Sequence, residues 1–67
     1  MKINKVKGYR NYLSLTQEQM AFKLGISKQS YFNKETCRNT FNDKEKIIFK
    51  NLLTPYFPNI TIEDIFF

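Results

Sequence analysis

The sequence predicts an all-α fold, a compact five-helix domain, and three observations lead there. Apolar residues recur at helical spacing through most of the chain, and no stretch alternates as a strand would. Ser, Thr or Asn caps stand ahead of the apolar patterns. At 67 residues the expectation is one domain, 1–67, burying only about 60% of the surface its unfolded form exposes.

Each helix has a local reason. From Ile3 to Leu13, Val6, Tyr9 and Leu13 fall on one face among Lys2, Lys5, Lys7 and Arg10, with Gly8 as a weakness. Thr16 and Gln19 form a capping box, with Leu15 and Met20 spaced as a hydrophobic staple. The second helix carries Met20, Ala21 and Leu24 to Gly25, the residue best able to take the left-handed conformation that ends a helix. Ser27 caps a third helix over Lys28 to Glu35, in which Tyr31 continues the apolar face. Thr36 to Asn42 reads as a loop. Asn42 and Glu45 box the start of a fourth helix with Ile47, Ile48, Leu52 and Leu53 on its apolar face, stopped near Pro55. Thr61 caps a last turn in residues 62–67.

Composition narrows the function. There are no histidines and one cysteine, so the usual proton shuttle, the usual metal ligand and an intrachain disulfide are all missing. No metal site, cofactor or small-molecule substrate is expected. Paired carboxylates occur only as Glu63 and Asp64, and an enzyme is not expected either. Apolar runs of two or three residues, such as Ile65 to Phe67, fall far short of the roughly 20 a membrane-spanning helix needs. The expected setting is the cytoplasm of a bacterial or phage-infected cell, with no membrane partner.

The net charge is +5, from 11 Lys and Arg against 6 Asp and Glu. All the basic residues lie between Lys2 and Lys50, and Glu63 and Asp64 are the only charges beyond. A basic body with an apolar tail points to one side facing a polyanion and another given to packing or pairing.

Two short helices joined by Gly25-Ile26-Ser27 resemble the helix-turn-helix of the Cro and phage-repressor family, also called Xre-like. The matching residues are Arg10, Thr16-Gln17-Glu18, Ala21, Leu24, Gly25-Ile26-Ser27, Gln29-Ser30 and Glu35, and the resemblance extends weakly through the fourth helix to the tail. In structural roles it implies a lambda-repressor-like DNA-binding domain. There Ala21 is small where helices cross, Gly25 turns, Ile26 plugs the turn, and Arg10 pairs with Glu35 to join the first helix to the third. Lys34 stands where the family usually has Ile or Leu, Tyr31 replaces a β-branched residue, and Cys37 replaces the usual glycine. The end of the third helix is therefore left open, either regular or distorted.

The resemblance implies a transcriptional regulator whose third helix enters the DNA major groove, a slot about 12 Å wide. Lys28, Gln29, Phe32 and Asn33 would face base edges, with Gln and Asn able to pair with adenine and Phe32 to pack on a thymine methyl. Phosphate contacts would come from Gln17, at a helix N-terminus, and from Thr36, Arg38, Asn39, Thr40 and Lys44. Phe32 reads either as an exposed interface aromatic or as one partly covered by the following loop. A homodimer on an inverted-repeat operator, with half-sites about 34 Å apart, would use the tail, 55–67, and in particular Phe57, Phe66 and Phe67; Ile62 and Ile65 are expected to complete the core. The chain looks most like a short single-domain Cro-type repressor of a phage or mobile element. The alternative is a protein-interaction module on the same scaffold, such as an antitoxin gripping a partner through Phe22, Phe32 and the tail aromatics.

Overall fold

The computed structural model describes residues 4–67; Lys2 and Ile3, which the sequence reading included in the first helix, lie outside them. Five helices follow in order: α1 (Lys5–Tyr12), α2 (Gln17–Leu24), α3 (Lys28–Glu35), α4 (Asp43–Leu53) and α5 (Ile62–Phe66). No strand occurs among the described residues. The chief packing pairs are α2 with α3, α1 with α5, and α4 with both α5 and α2.

Every helix begins on a side-chain cap, which satisfies backbone donors that the helix itself cannot. Thr16 Oγ1 accepts from Gln19 N (3.1 Å) while Gln19 Oε1 accepts from Thr16 N (2.9 Å). The same reciprocal box opens α4 at Asn42–Glu45 and α5 at Thr61–Asp64. Asn4 and Ser27 cap α1 and α3 without a return bond.

Three helices end by one device. Ser14, Gly25 and Cys37 have φ of +58°, +73° and +67°, and each follows the last turn of α1, α2 or α3. The next amide then reaches back five residues, from Leu15 to Arg10 O, from Ile26 to Ala21 O and from Arg38 to Asn33 O. This is the Schellman arrangement, in which a left-handed residue lets the chain return to carbonyls that the helix leaves open. The end of α3 is therefore regular, although Cys37 fills a position usually given to glycine.

The core is built from Met20, Ala21, Leu24, Tyr31, Phe41, Phe49, Leu53, Ile60 and Ile65. Two features differ from the sequence reading. In α4 the buried stripe is Glu45, Phe49 and Leu53, whereas Ile47 is exposed and Ile48 and Leu52 are half-buried. The helix is wedged between α2 and α5, and that contact selects the face centred on Phe49. The loop after α3 is also not wholly outside: Phe41 is buried, with its ring 5.1 Å from Phe66, 6.1 Å from Tyr31 and 6.4 Å from Phe49.

The tail serves the domain's own packing more than expected. Phe66 is half-buried against Phe41 and Phe49. Phe57 is half-buried on Tyr9 and Tyr12, with ring centroids 5.9 and 4.9 Å apart. Of the three aromatics expected at a dimer contact, Phe67 alone is exposed, at 73%, with the Lys46 ammonium 5.0 Å from its ring centre. Ile65 is buried and Ile62 half-buried.

Candidate nucleic-acid interface

The start of α3 is turned outward. Lys28 and Gln29 are exposed, and Phe32 and Asn33 are half-buried, so Phe32 is partly covered. Ser27 Oγ accepts from Ser30 N at 3.1 Å, which fixes the first turn. Gln29 Nε2 donates to Asn33 Oδ1 at 3.1 Å, joining two amides one turn apart. Gln29 Oε1 and the remaining amide hydrogens of the pair stay available, a row of acceptor and donors on one helix face. Gln17, from the start of α2, lines a shallow depression with Lys28, Gln29 and Phe32. The first turns of the two helices are thus brought together.

The orientation of α3 against α1 and α2 is held by one carboxylate. Glu35 is 2% exposed. Its Oε2 accepts from Arg10 Nε (2.7 Å) and from the Tyr31 hydroxyl (2.6 Å), and its Oε1 from Gln17 Nε2 (3.0 Å) and Arg10 Nη2 (3.3 Å). Arg10 Nη1 donates further to Leu15 O (2.8 Å), and Asn4 Nδ2 to Glu35 O (3.0 Å). Burial alone would raise the Glu35 carboxyl, but the hydrogen bonds from Arg10, Tyr31 and Gln17 and the arginine charge outweigh it and hold it below its ordinary value. The hydrogen bond to Glu35 raises Arg10 further, and burial, reinforced by Glu35, pushes the Tyr31 hydroxyl far up. At neutral pH the cluster is one anion, one cation and one neutral phenol.

Arg10 and Glu35 meet as the resemblance implied, but Tyr31 was read only as apolar and Gln17 only as a phosphate contact. The four-residue spacing of Tyr31 and Glu35 is a signal that could have placed the hydroxyl on the carboxylate. Gln17 has one amide hydrogen committed to Glu35, so the second hydrogen and the backbone N–H groups of its helix start remain for an anion.

Beyond α3, Thr36, Arg38, Asn39 and Thr40 are all exposed, as is Lys44 at the start of α4. The loop is nonetheless anchored. The amides of Arg38 and Asn39 both donate to Asn33 O, at 2.8 and 3.2 Å, and Thr36 Oγ1 donates to Phe32 O at 2.7 Å. Cys37 is an exposed free thiol.

No family model matches the chain, and no solved structure does. An uncharacterized HTH-type transcriptional regulator of Methanocaldococcus jannaschii is 40% identical over 63 residues, which span 94% of this chain and 88% of the relative. The matched stretch takes in nearly the full length of both proteins, so the chain belongs to the helix-turn-helix-type transcriptional regulators.

Proposed function

We propose that the protein is a sequence-specific double-stranded DNA-binding transcriptional regulator, a Cro-type repressor of the kind a phage or mobile element carries, with α3 inserted in the major groove. The observation that carries this reading is the linked pair Gln29–Asn33 on the outward face of a helix clamped from behind by Glu35. Adenine presents an acceptor at N7 and a donor at N6 in the major groove, which the free acceptor and donors of the pair match. Lys28 supplies a donor for guanine or a phosphate, and the exposed part of Phe32 an apolar contact for a thymine methyl. Gln17, Thr36, Arg38, Asn39, Thr40 and Lys44 would bind phosphates and set position, with no base preference of their own.

One such domain covers one half-site, so the reading includes a homodimer on an inverted repeat. Phe67, with the uncovered edges of Phe57 and Phe66, is the proposed contact. A second reading is favoured by Phe22, which is 85% exposed on α2: a large aromatic left in water suits a protein partner.

Titrating salt against binding to duplex DNA selected from a random pool separates the two. Several cationic contacts predict a steep fall in affinity, and a flat response or no binding refutes DNA recognition. On the selected site, Gln29→Ala should cost about 1 to 3 kcal/mol and relax preference at one base pair. Equal weakening on all sequences would make Gln29 a positioning residue instead.

A further inference from the structure

Lys34 and Glu45 form a second ion pair. Lys34 Nζ is 2.7 Å from both Glu45 Oε1 and Oε2, and the two side chains are 14% and 5% exposed. This is the one hydrogen-bonded link between α3 and α4 among the described residues, and the two helices are not among the chief packing pairs. Glu45 is also half of a capping box: its Oε1 accepts from Asn42 N at 3.0 Å and its amide donates to Asn42 Oδ1 at 2.8 Å. The Lys34 ammonium is therefore tied, through Glu45, to Asn42, where the loop 36–42 ends. The other end of that loop is tied to Asn33, one residue before Lys34, through the amides of Arg38 and Asn39. Both ends of the loop, exposed over 36–40 and seated on the core at Phe41, are thus linked to the last turn of α3.

We infer that Lys34 is a positioning residue for nucleic-acid binding, holding the phosphate-contacting loop at a set distance from the base-facing side of α3 through Glu45. The inference rests on the DNA-binding reading above. Rigid elements held by packed supporting groups keep a binding constellation in register, and a loop free to drift loses contacts that need several donors at once. Lys34 does not itself touch DNA in this scheme, because its side chain is largely covered and its ammonium is occupied by Glu45.

Three variants test it: Lys34→Met, Glu45→Gln, and the double variant, which removes both charges without stranding either and so keeps the fold. Glutamine can still return a hydrogen bond to Asn42 N. Each is compared with the wild type on the selected duplex, below the melting range of all four proteins, across a salt series, with amide exchange at Arg38 and Asn39 as a readout free of DNA. Positioning predicts faster exchange at both amides, affinity lower by about tenfold, and a salt slope reduced by about 1 to 2, with base preference kept. All three variants should lose together. If Lys34→Met loses affinity while Glu45→Gln gains it, Lys34 is a direct phosphate contact and the inference is overturned. Wild-type binding that is steep in salt but unchanged in the double variant overturns it as well and leaves the DNA-binding reading intact. A wild type that shows no salt-dependent binding overturns both.

Discussion

Replacing Glu35 by Gln tests the clamp behind α3. Glutamine has nearly the same shape and keeps one acceptor for Arg10 and Tyr31. It removes the charge, and it sets an amide N–H₂ toward whichever of the Arg10, Tyr31 and Gln17 donors then lacks an acceptor. Arg10 is 8% exposed, so its charge would stay buried without a counter-charge, with Leu15 O at 2.8 Å and the one glutamine oxygen it shares with Tyr31 to receive it. Breaking a buried pair by removing one partner costs about 3 to 5 kcal/mol, and the surviving Leu15 contact argues for the lower end. A domain of 67 residues has a total stability of about 3 to 10 kcal/mol. A loss of about 3 kcal/mol corresponds to about 12 to 24 °C in Tm for a domain of this size. Circular dichroism melts at pH 7 read the effect. Adding Arg10→Met should recover part of it, because the stranded charge is then gone, and the double-mutant cycle isolates the coupling. The same pair sets a pH response. Since the folded-state carboxyl lies below its ordinary value of 4.5, the unfolded chain takes up the proton first as pH falls. The Glu35 contribution is full above that value, declines below it, and is gone once pH passes the folded-state value. Glu35→Gln should lack this component of the acid transition. A Tm within 3 °C of wild type, or an unchanged acid profile in the variant, would refute the view that Glu35 carries the clamp.

Cys37→Gly should stabilise the domain by about 0.5 to 1 kcal/mol in urea unfolding: a left-handed L-residue costs about 1 to 2 kcal/mol, and glycine's added unfolded-state freedom takes back about 0.5 to 1. Gly25→Ala should lose a similar amount from backbone strain alone, since nothing lies within 4 Å of a Cβ there; destabilisation by Cys37→Gly would refute the strain argument. Phe66→Ala should cost about 2 to 3 kcal/mol, less than a fully buried phenylalanine, whereas Phe67→Ala should stay within about 0.5 kcal/mol and lower self-association in sedimentation. Equal destabilisation by the two would show that Phe67 too belongs to the core.

The parts of the fold that were legible in the sequence are those decided within four residues. Thr16 with Gln19, Ser27, Asn42 with Glu45, and Thr61 could be found because a cap and its amide are neighbours in the chain. Gly25 could be found because a left-handed turn selects glycine; Ser14 and Cys37 do not announce that conformation by residue type, so Ser14 went unread and Cys37 was set at the helix end only through the resemblance. Phe49 and Phe41 were missed for a different reason. In α4, Ile48, Leu52, Phe49 and Leu53 share one arc and Ile47 lies off it; Ile47 was read into the apolar face and Phe49 was not. Contacts with α2 and α5 bury the Phe49 side of that arc, while Phe41 is drawn inward by the ring cluster with Tyr31, Phe49 and Phe66. At the candidate interface the outward residues of α3 follow from its cap and register, but the Gln17 to Glu35 bond joins residues 18 apart and has no local trace.

The departures at the end of α3 are connected with one another. Tyr31 is large enough to fill the core and still reach Glu35 with its hydroxyl, which turns an apolar position into a further donor on the clamp. Lys34 exchanges an apolar contact for an ion pair with Glu45, and Cys37 keeps the helix end that a glycine would otherwise make. The electrostatic consequence reaches the surface. Arg10 with Glu35 and Lys34 with Glu45 cancel in pairs inside the domain, so the whole net charge of +5 rests on the groups outside those pairs. A count of basic residues therefore misidentifies which of them can meet a polyanion. Arg10 and Lys34 are set aside by geometry, and Lys28, Arg38 and Lys44 remain on the surfaces beside Gln29 and the loop. Their individual replacement by Met should lower the salt slope of DNA binding by about 1 each, whereas Lys34 enters only through the loop it holds.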